Sequence, residues 1–212
     1  LYFVDLCASG IGAVCFTFLL RPLGAEILMW VVSAVALCGF ILYALTVGLS
    51  RIYIFSLPLF FLLGCTFWGN NLINDHPVHY KRAAQLRKWG ATLEHSEWTT
   101  IAKIDVWSFD ETGSKQITMD GDCLTRMPSP LYPKEYFISE EEETDYWVRC
   151  QRIPYFIRPA PDDVLVIGSG GGIEIVMANA WGAKNITGVE INPATYGLVR
   201  GPYSDFLKWP KW

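Results

Sequence analysis

A glycine-rich segment and the glutamate that follows it are the residues of this sequence best suited to ligand chemistry. The segment is Gly168-Ser169-Gly170-Gly171-Gly172, and Glu190 lies 22 residues after its first glycine. Glycines let the backbone approach a ligand where a Cβ atom would collide, and the amides at the start of a helix are free to face that ligand. A glutamate at this distance can accept hydrogen bonds from both hydroxyls of a ribose. Together the two features predict a nucleoside site.

The elements around this segment form a predicted β–α–β unit. Residues 164–167 are a continuous apolar run rich in branched side chains, which predicts a central parallel strand buried on both faces. A helix is predicted over 173–181 and a second strand over 186–190. The glycines fit G-x-G-x-G, whereas the dinucleotide fingerprint requires glycine where this chain has Ile173. The spacing favours S-adenosylmethionine or a relative over NAD, and a unit that binds nothing is the alternative.

Charge is distributed very unevenly along the chain. Of its 38 charged side chains, 34 lie in residues 70–212. Three apolar runs, 1–20, 27–48 and 52–69, fill the remainder, and each is close to the roughly 20 residues that cross a bilayer as a helix. We therefore predict three transmembrane helices over 1–69, with a buried soluble hairpin as the alternative. Intrinsic disorder and a single cytosolic domain are excluded.

Asp5 lies inside the first apolar run. An intramembrane carboxylate is a functional candidate, and a helix-packing or interfacial role is the alternative. Basic residues cluster after the third run, so the positive-inside rule places the charged part in the cytoplasm and makes the chain an integral protein of a bacterial inner or plasma membrane. The net charge of −4 argues against nucleic acid as a partner. The six cysteines and three histidines form no metal-ligand spacing, so no metal is expected.

Between the apolar front and the glycine segment, the sequence predicts a connector and a small β region. Residues 70–97 form a polar linker, in which 79–93 are either a helix on the lipid headgroups or a solvated connector. Strands are predicted at 102–107 and 115–119, joined by a turn, because apolar and polar residues alternate there. The β-hairpin region and its connector occupy 98–161, with a short helix at 146–157. The nucleotide-binding part occupies 162–212.

The glycine segment resembles spermidine synthase-like proteins, and above all their membrane-bound bacterial members. The resemblance rests on Val-Leu-Val-Ile-Gly-Ser-Gly-Gly-Gly-Ile-Glu at 164–174 and on Gly-Val-Glu-Ile-Asn-Pro at 188–193. It implies N-terminal transmembrane helices, a small β domain and a truncated Rossmann-like domain. It also implies binding of decarboxylated S-adenosylmethionine, or of S-adenosylmethionine, and transfer of an aminopropyl group to an amine or polyamine.

The resemblance also implies roles for individual residues. The turn at 168–172 and Glu190 would hold the nucleoside, and Glu174 would face the sulfonium or its amino tail. Tyr146 and Asp122 are implied as substrate-binding residues. The family's acid within the glycine turn is replaced here by Gly171, and its Tyr-His-Glu stretch appears as Tyr-Trp-Val at 146–148. The catalytic aspartate of the family follows a later strand, so it is expected beyond residue 212 and no catalytic residue is named.

Two other functions are compatible with the sequence. An S-adenosylmethionine-dependent methyltransferase would use the glycine segment and Glu190 equally well. A transporter or sensor with a regulatory nucleotide-binding domain would make use of Asp5 and the apolar front. The sequence leaves open whether the chain forms a homo-oligomer.

Overall fold

The structure, a computed structural model, describes residues 2–48, 58, 81–111, 113–128, 134–138 and 146–207. The chain divides into two compact units, Leu1–His79 and Tyr80–Trp212. This division falls inside the predicted linker 70–97. The sheet, the glycine segment and every cavity discussed below belong to the second unit.

The first unit contains one long helix among its described residues, α1 (Tyr2–Val47). Two of the three predicted apolar runs, 1–20 and 27–48, lie in it over residues 2–20 and 27–47, and so does Asp5. The predicted break at 21–24 is confirmed, because Gly24 leaves helical geometry there (φ 77°, ψ 160°), two residues after Pro22. By length and composition, α1 is able to cross a membrane. The predicted third run, 52–69, lies outside the described residues apart from Pro58.

The second unit begins with a helix and an antiparallel sheet. The elements are α2 (Arg82–Lys88), β1 (Thr92–Trp98), β2 (Lys103–Phe109), β3 (Ser114–Met119) and β4 (Cys123–Met127). The sheet has the strand order β1-β2-β3-β4, and an irregularity between Leu93 and His95 interrupts the β1–β2 pairing.

The predicted hairpin is confirmed as β2 and β3, which pair from Ile104 opposite Met119 to Phe109 opposite Ser114. The predicted linker is wrong at its C-terminal end, because β1 begins at Thr92 and is part of the sheet. The helix predicted over 79–93 is correspondingly shorter, and α2 ends at Lys88. The outer strands β1 and β4 were not predicted.

Both faces of the sheet are covered, because β2 has buried side chains on each of them. Ile104 and Val106 are fully buried in a cluster with residues late in the chain, including Leu198 and Tyr203. Trp107 points to the opposite face and contacts α2 in a cluster that contains Leu86. The four-stranded sheet is therefore the layer on which the C-terminal residues pack.

Three short helices connect this sheet to the glycine segment: α3 (Lys134–Ile138), α4 (Tyr146–Gln151) and α5 (Ile153–Ile157). The single helix predicted over 146–157 is thus two helices separated at Arg152. Pro154 lies in the first turn of α5, where its missing N–H costs nothing, whereas it could not continue the hydrogen bonding of α4.

The predicted β–α–β unit is confirmed as a local structure. Its strands are parallel and pair from Asp163 opposite Asn185 to Ile167 opposite Val189. The described residues contain a parallel sheet of these two strands, so a complete Rossmann fold stays a prediction. The elements are β5 (Asp163–Ile167), α6 (Ile173–Ala180) and β6 (Asn185–Val189), followed by α7 (Pro193–Arg200) and α8 (Ser204–Leu207).

The prediction that the first parallel strand is buried on both faces is wrong for this structure. Val164 packs against the cluster formed by α6, but Leu165 and Ile167 are 61% and 80% exposed. Side chains alternate across a strand, so one face of the two-stranded sheet is covered by α6 and the described residues provide no layer over the other.

Candidate functional site

The glycine segment forms a tight turn between β5 and α6. Gly168, Gly170 and Gly172 have positive φ angles of 73°, 48° and 92°. Glycine adopts positive φ angles far more easily than residues with a Cβ atom. The three glycines of the G-x-G-x-G spacing are therefore the three left-handed positions of the turn. The turn lies at the carboxyl ends of the two parallel strands, where ligands bind in open α/β sheets.

The amide groups of this turn are bonded within the protein. Gly168 and Ser169 both donate to the Val189 carbonyl, at 2.8 and 3.0 Å, and Gly172 donates to the Ser169 carbonyl at 2.8 Å. Gly170 donates to Glu190 and Gly171 to Thr125. The five amides of the turn are therefore not available to a ligand. A phosphate cradle would require those amides, so this turn suits a ligand without a phosphate at that point.

Glu190 follows β6 and lies beside the turn. Its two carboxylate oxygens accept hydrogen bonds from the backbone N–H of Gly170 at 2.9 Å and of Asn192 at 2.7 Å. An ionised carboxylate has about four acceptor positions, so each oxygen retains one for a ligand. The fully buried Asn192 caps α7 through Ala194 and donates to the Thr99 hydroxyl at 3.3 Å. The glutamate is thus held in place with acceptor capacity to spare.

Two glycines of the turn are required by the neighbouring strand β4. A Cβ atom on Gly171 would lie 2.4 Å from the Arg126 carbonyl oxygen, and one on Gly170 would lie 2.6 Å from the Thr125 hydroxyl. Gly171 also donates to Thr125 Oγ1 at 2.9 Å. The close approach predicted for a ligand is, at these two positions, an approach to β4.

A cavity of about 540 Å³ begins at the residue that follows the turn. It lies between the sheet, α2, α4 and the start of α6, and we call it the Glu174 cavity. Its two acids and two arginines come from different elements. The lining residues are Arg82, Trp89, Gln116, Asp122, Leu124, Thr125, Arg126, Trp147, Val148, Gln151, Ile173 and Glu174.

Among the described residues, three that line this cavity have a buried side-chain oxygen that accepts no hydrogen bond. Gln151 Nε2 donates to Glu174 Oε1 at 2.6 Å, which fixes the amide orientation and leaves Gln151 Oε1 without a partner. Within the described part of the chain, Gln116 Oε1 and Glu174 Oε2 are also buried without partners. Buried acceptors of this kind are costly unless a donor meets them. An ammonium group carries several N–H donors, and it reaches these oxygens once a side-chain movement exposes them to the cavity.

The charge state of Glu174 is expected to couple stability to pH. Burial raises the pKa of Glu174, and its own backbone N–H lowers it to a smaller extent. Because the folded-state pKa is raised, the stability that the protonated carboxyl provides is complete below the unfolded pKa and is lost as pH rises through the folded pKa. We expect Glu174→Gln to remove this loss, so that the variant gains stability over the parent as pH rises above about 4, the ordinary glutamate pKa.

Thermal unfolding of the full chain in a mild detergent measures this difference. Asp122→Asn is the matched control, because it removes an exposed carboxylate from the same cavity. If the unfolding temperatures of Glu174→Gln and the parent differ by the same amount at every pH, the expected role of burial is contradicted.

The residues predicted from the sequence fall into four places. The turn at 168–172 and Glu190 are adjacent, and Glu174 and Asp122 line the Glu174 cavity. Tyr146 lies elsewhere: it is 69% exposed, and a hydrogen bond with Cys150 raises the pKa of Tyr146. Its neighbour Trp147 lines the cavity instead. Asp5 belongs to the other unit.

Sequence reasoning missed several lining residues, chiefly Gln116, Thr125 and Gln151. Trp147 and Gln151 are four residues apart on α4, so a helical face could have been recognised from their spacing. No comparable signal exists for Gln116 and Thr125, because they belong to the sheet and only pairing along β3 and β4 brings them to the cavity.

The described residues contain no group of three or more histidine, cysteine, aspartate or glutamate side chains able to hold a metal ion. No protein-family model matches the chain, and no curated protein or solved structure shows significant similarity to it.

Proposed function

We propose that the chain is a membrane-anchored, spermidine synthase-like transferase that binds decarboxylated S-adenosylmethionine and transfers its aminopropyl group to an amine. The observation that carries the proposal is the position of the acceptor-rich Glu174 cavity. It starts at Ile173, directly after a glycine turn that is bonded to Glu190. A nucleoside site and a site for an ammonium group would therefore adjoin each other, as transfer between two such substrates requires.

The reaction would be a direct displacement. The nitrogen lone pair of the neutral amine attacks the aminopropyl carbon attached to the sulfonium, a C–N bond forms, and the C–S bond breaks. The electron pair of that bond stays on sulfur, so methylthioadenosine leaves as a neutral product. The new ammonium group then loses one proton to a base. We assign alignment and charge stabilisation to the described residues. We assign the role of catalytic base to none of them.

The long apolar helix supports the membrane part of the proposal. Only 11% of its most apolar window is buried within the structure, whereas a core helix of a soluble protein buries most of its surface. We propose that α1 crosses the bilayer twice, once with the residues before the break at Gly24 and once with those after it. The second unit would then lie in the cytoplasm, where the basic residues after the apolar runs place it.

A methyltransferase is the second candidate, because the turn and Glu190 would bind S-adenosylmethionine in the same way. The two candidates differ in what the Glu174 cavity receives. Surplus acceptors suit the free aminopropyl tail or an amine substrate, whereas the two arginines of the lining suit the methionine carboxylate. Calorimetry with both nucleosides separates them: tighter binding of decarboxylated S-adenosylmethionine supports the first, tighter binding of S-adenosylmethionine supports the second, and binding of neither removes both.

The role of Glu190 gives the sharpest test of the nucleoside site. We expect Glu190→Ala to weaken methylthioadenosine binding by about 1–3 kcal/mol through lost charged hydrogen bonds. Since Glu190 also holds the turn, the 2′-deoxy analogue must be titrated as well. The parent should prefer the ribose form, and the variant should lose that preference.

Asp163→Ala is the matched control for this experiment. Asp163 accepts a hydrogen bond from Asn185 across the same strand pair at its opposite end, so its removal should leave the nucleoside affinity unchanged. A Glu190→Ala variant that still discriminates the two sugars would show that another group binds the ribose.

A further inference from the structure

Strand β4 contacts the glycine turn and the Glu174 cavity at the same residue. Thr125 Oγ1 accepts a hydrogen bond from the Gly171 N–H at 2.9 Å. The same threonine lines the cavity, together with its neighbours Leu124 and Arg126. A ligand in the cavity therefore contacts the strand on which the turn rests.

The contact between β4 and the turn is close enough to transmit a displacement. Beyond the hydrogen bond, a Cβ atom on Gly170 or Gly171 would lie within 2.6 Å of Thr125 or Arg126, so the backbone of the turn packs directly on the strand. Close-packed contacts transmit strain because they have no space to absorb it. Movement of β4 by a fraction of an ångström must therefore move the turn.

A second bond attaches the other side of the nucleoside site to the same sheet. Asn192 Nδ2 donates to Thr99 Oγ1 at 3.3 Å, and the Asn192 N–H donates to Glu190. Thr99 lies between β1 and β2, so its hydroxyl is fixed by the turn that it caps. Because the bond between Asn192 and Thr99 is held rigidly, a ligand in the cavity acts on the turn through the contact at Thr125.

We propose that Thr125 is a positioning residue that couples occupancy of the Glu174 cavity to nucleoside binding at the glycine turn. The proposal rests on the proposed function, because it assigns the nucleoside to the turn and the amine to the cavity. An amine bound in the cavity fixes β4, and β4 holds the turn in the geometry that binds the nucleoside. By linkage, the nucleoside strengthens amine binding by the same factor.

The test measures methylthioadenosine affinity of the full chain with and without saturating spermidine, a pair that contains no sulfonium donor and so undergoes no forward transfer. We expect spermidine to tighten nucleoside binding at least about fivefold in the parent, within the usual range of such couplings. Thr125→Val, which keeps the shape but removes the hydroxyl, should reduce the factor below about twofold. Thr125→Ser should restore it.

Thr118→Val is the matched control for a purely structural effect. Thr118 is buried in the adjacent strand β3, and its hydroxyl accepts a hydrogen bond from Trp107 at 2.9 Å without touching the turn. This variant should lower the unfolding temperature and keep the coupling factor. Loss of coupling in Thr118→Val, retention of it in Thr125→Val, or its absence in a parent that binds methylthioadenosine would overturn the inference. A parent that binds no nucleoside would instead refute the proposed function.

Discussion

Replacing Gly171 by alanine is expected to lower the free energy of unfolding of the second unit by about 3 kcal/mol, the upper end of what overpacking costs. The added Cβ atom would lie 2.4 Å from the Arg126 carbonyl oxygen and 2.7 Å from its carbon. Both are backbone atoms of β4, so no side-chain rotation can relieve the contact. The turn must move away from the strand, which also breaks the hydrogen bond from Gly171 to Thr125.

The same substitution should abolish measurable methylthioadenosine binding, because the displaced turn carries Gly170 away from Glu190. Chemical denaturation of the full chain in detergent measures the stability change, and calorimetry measures the binding. Gly197→Ala is the control: its Cβ atom meets nothing within 4 Å in α7, and alanine in a helix is favoured by up to about 1 kcal/mol over glycine. A stable, nucleoside-binding Gly171→Ala variant would show that the turn does not rest on β4.

Much of the β–α–β unit could be predicted because its signals are local. The apolar run of β5, the glycines that follow it and the apolar residues of α6 each indicate their own element, and the observed bounds differ by one residue from those predicted. The hairpin β2–β3 was predictable for the same reason, since Ile104 and Val106 alternate with polar residues.

The outer strands could not be predicted because their sequences are those of solvated segments. Strand β1 reads Thr-Leu-Glu-His-Ser-Glu-Trp and exposes its first three residues. Its stability comes from backbone hydrogen bonds to β2 rather than from its own apolar residues. Strand β4 has five residues and includes Arg126. Short, charged edge strands avoid pairing with other chains, and the same composition makes them resemble loops.

The role of the central glycines also depends on distant residues. From the sequence, Gly170 and Gly171 indicate a ligand that approaches the backbone. In the structure, the atoms that approach them belong to Thr125 and Arg126, more than forty residues earlier in the chain. Three glycines of the turn have a local explanation in their positive φ angles, whereas the absence of a side chain at Gly171 is explained only by the tertiary contact.

The exposed face of the parallel sheet is a further limit on what the local signal can predict. A run of branched apolar residues indicates burial on both sides, yet Leu165 and Ile167 are more than half exposed. A parallel sheet is ordinarily covered on both faces. The composition of β5 therefore reflects a requirement for two layers, of which the described residues provide the one formed by α6.

Replacing Trp107 by alanine is expected to cost about 3–5 kcal/mol of unfolding free energy, as large-to-small substitutions of a buried tryptophan do. The side chain is 1% exposed, its Nε1 donates to Thr118 at 2.9 Å, and the Arg87 guanidinium lies 5.4 Å from its ring centre. Its removal leaves a cavity between the sheet and α2 and also leaves the Thr118 hydroxyl without its donor.

Urea denaturation followed by far-UV circular dichroism measures this loss, with Trp89→Ala as the control. Trp89 is 60% exposed and lines the Glu174 cavity, so its removal should change spermidine affinity and leave stability nearly unaltered. Trp107→Ala should instead weaken the binding of every ligand through the population of unfolded chain, and saturating methylthioadenosine should recover part of the stability by mass action. Equal stability of the two variants would mean that α2 and the sheet do not share a core around Trp107.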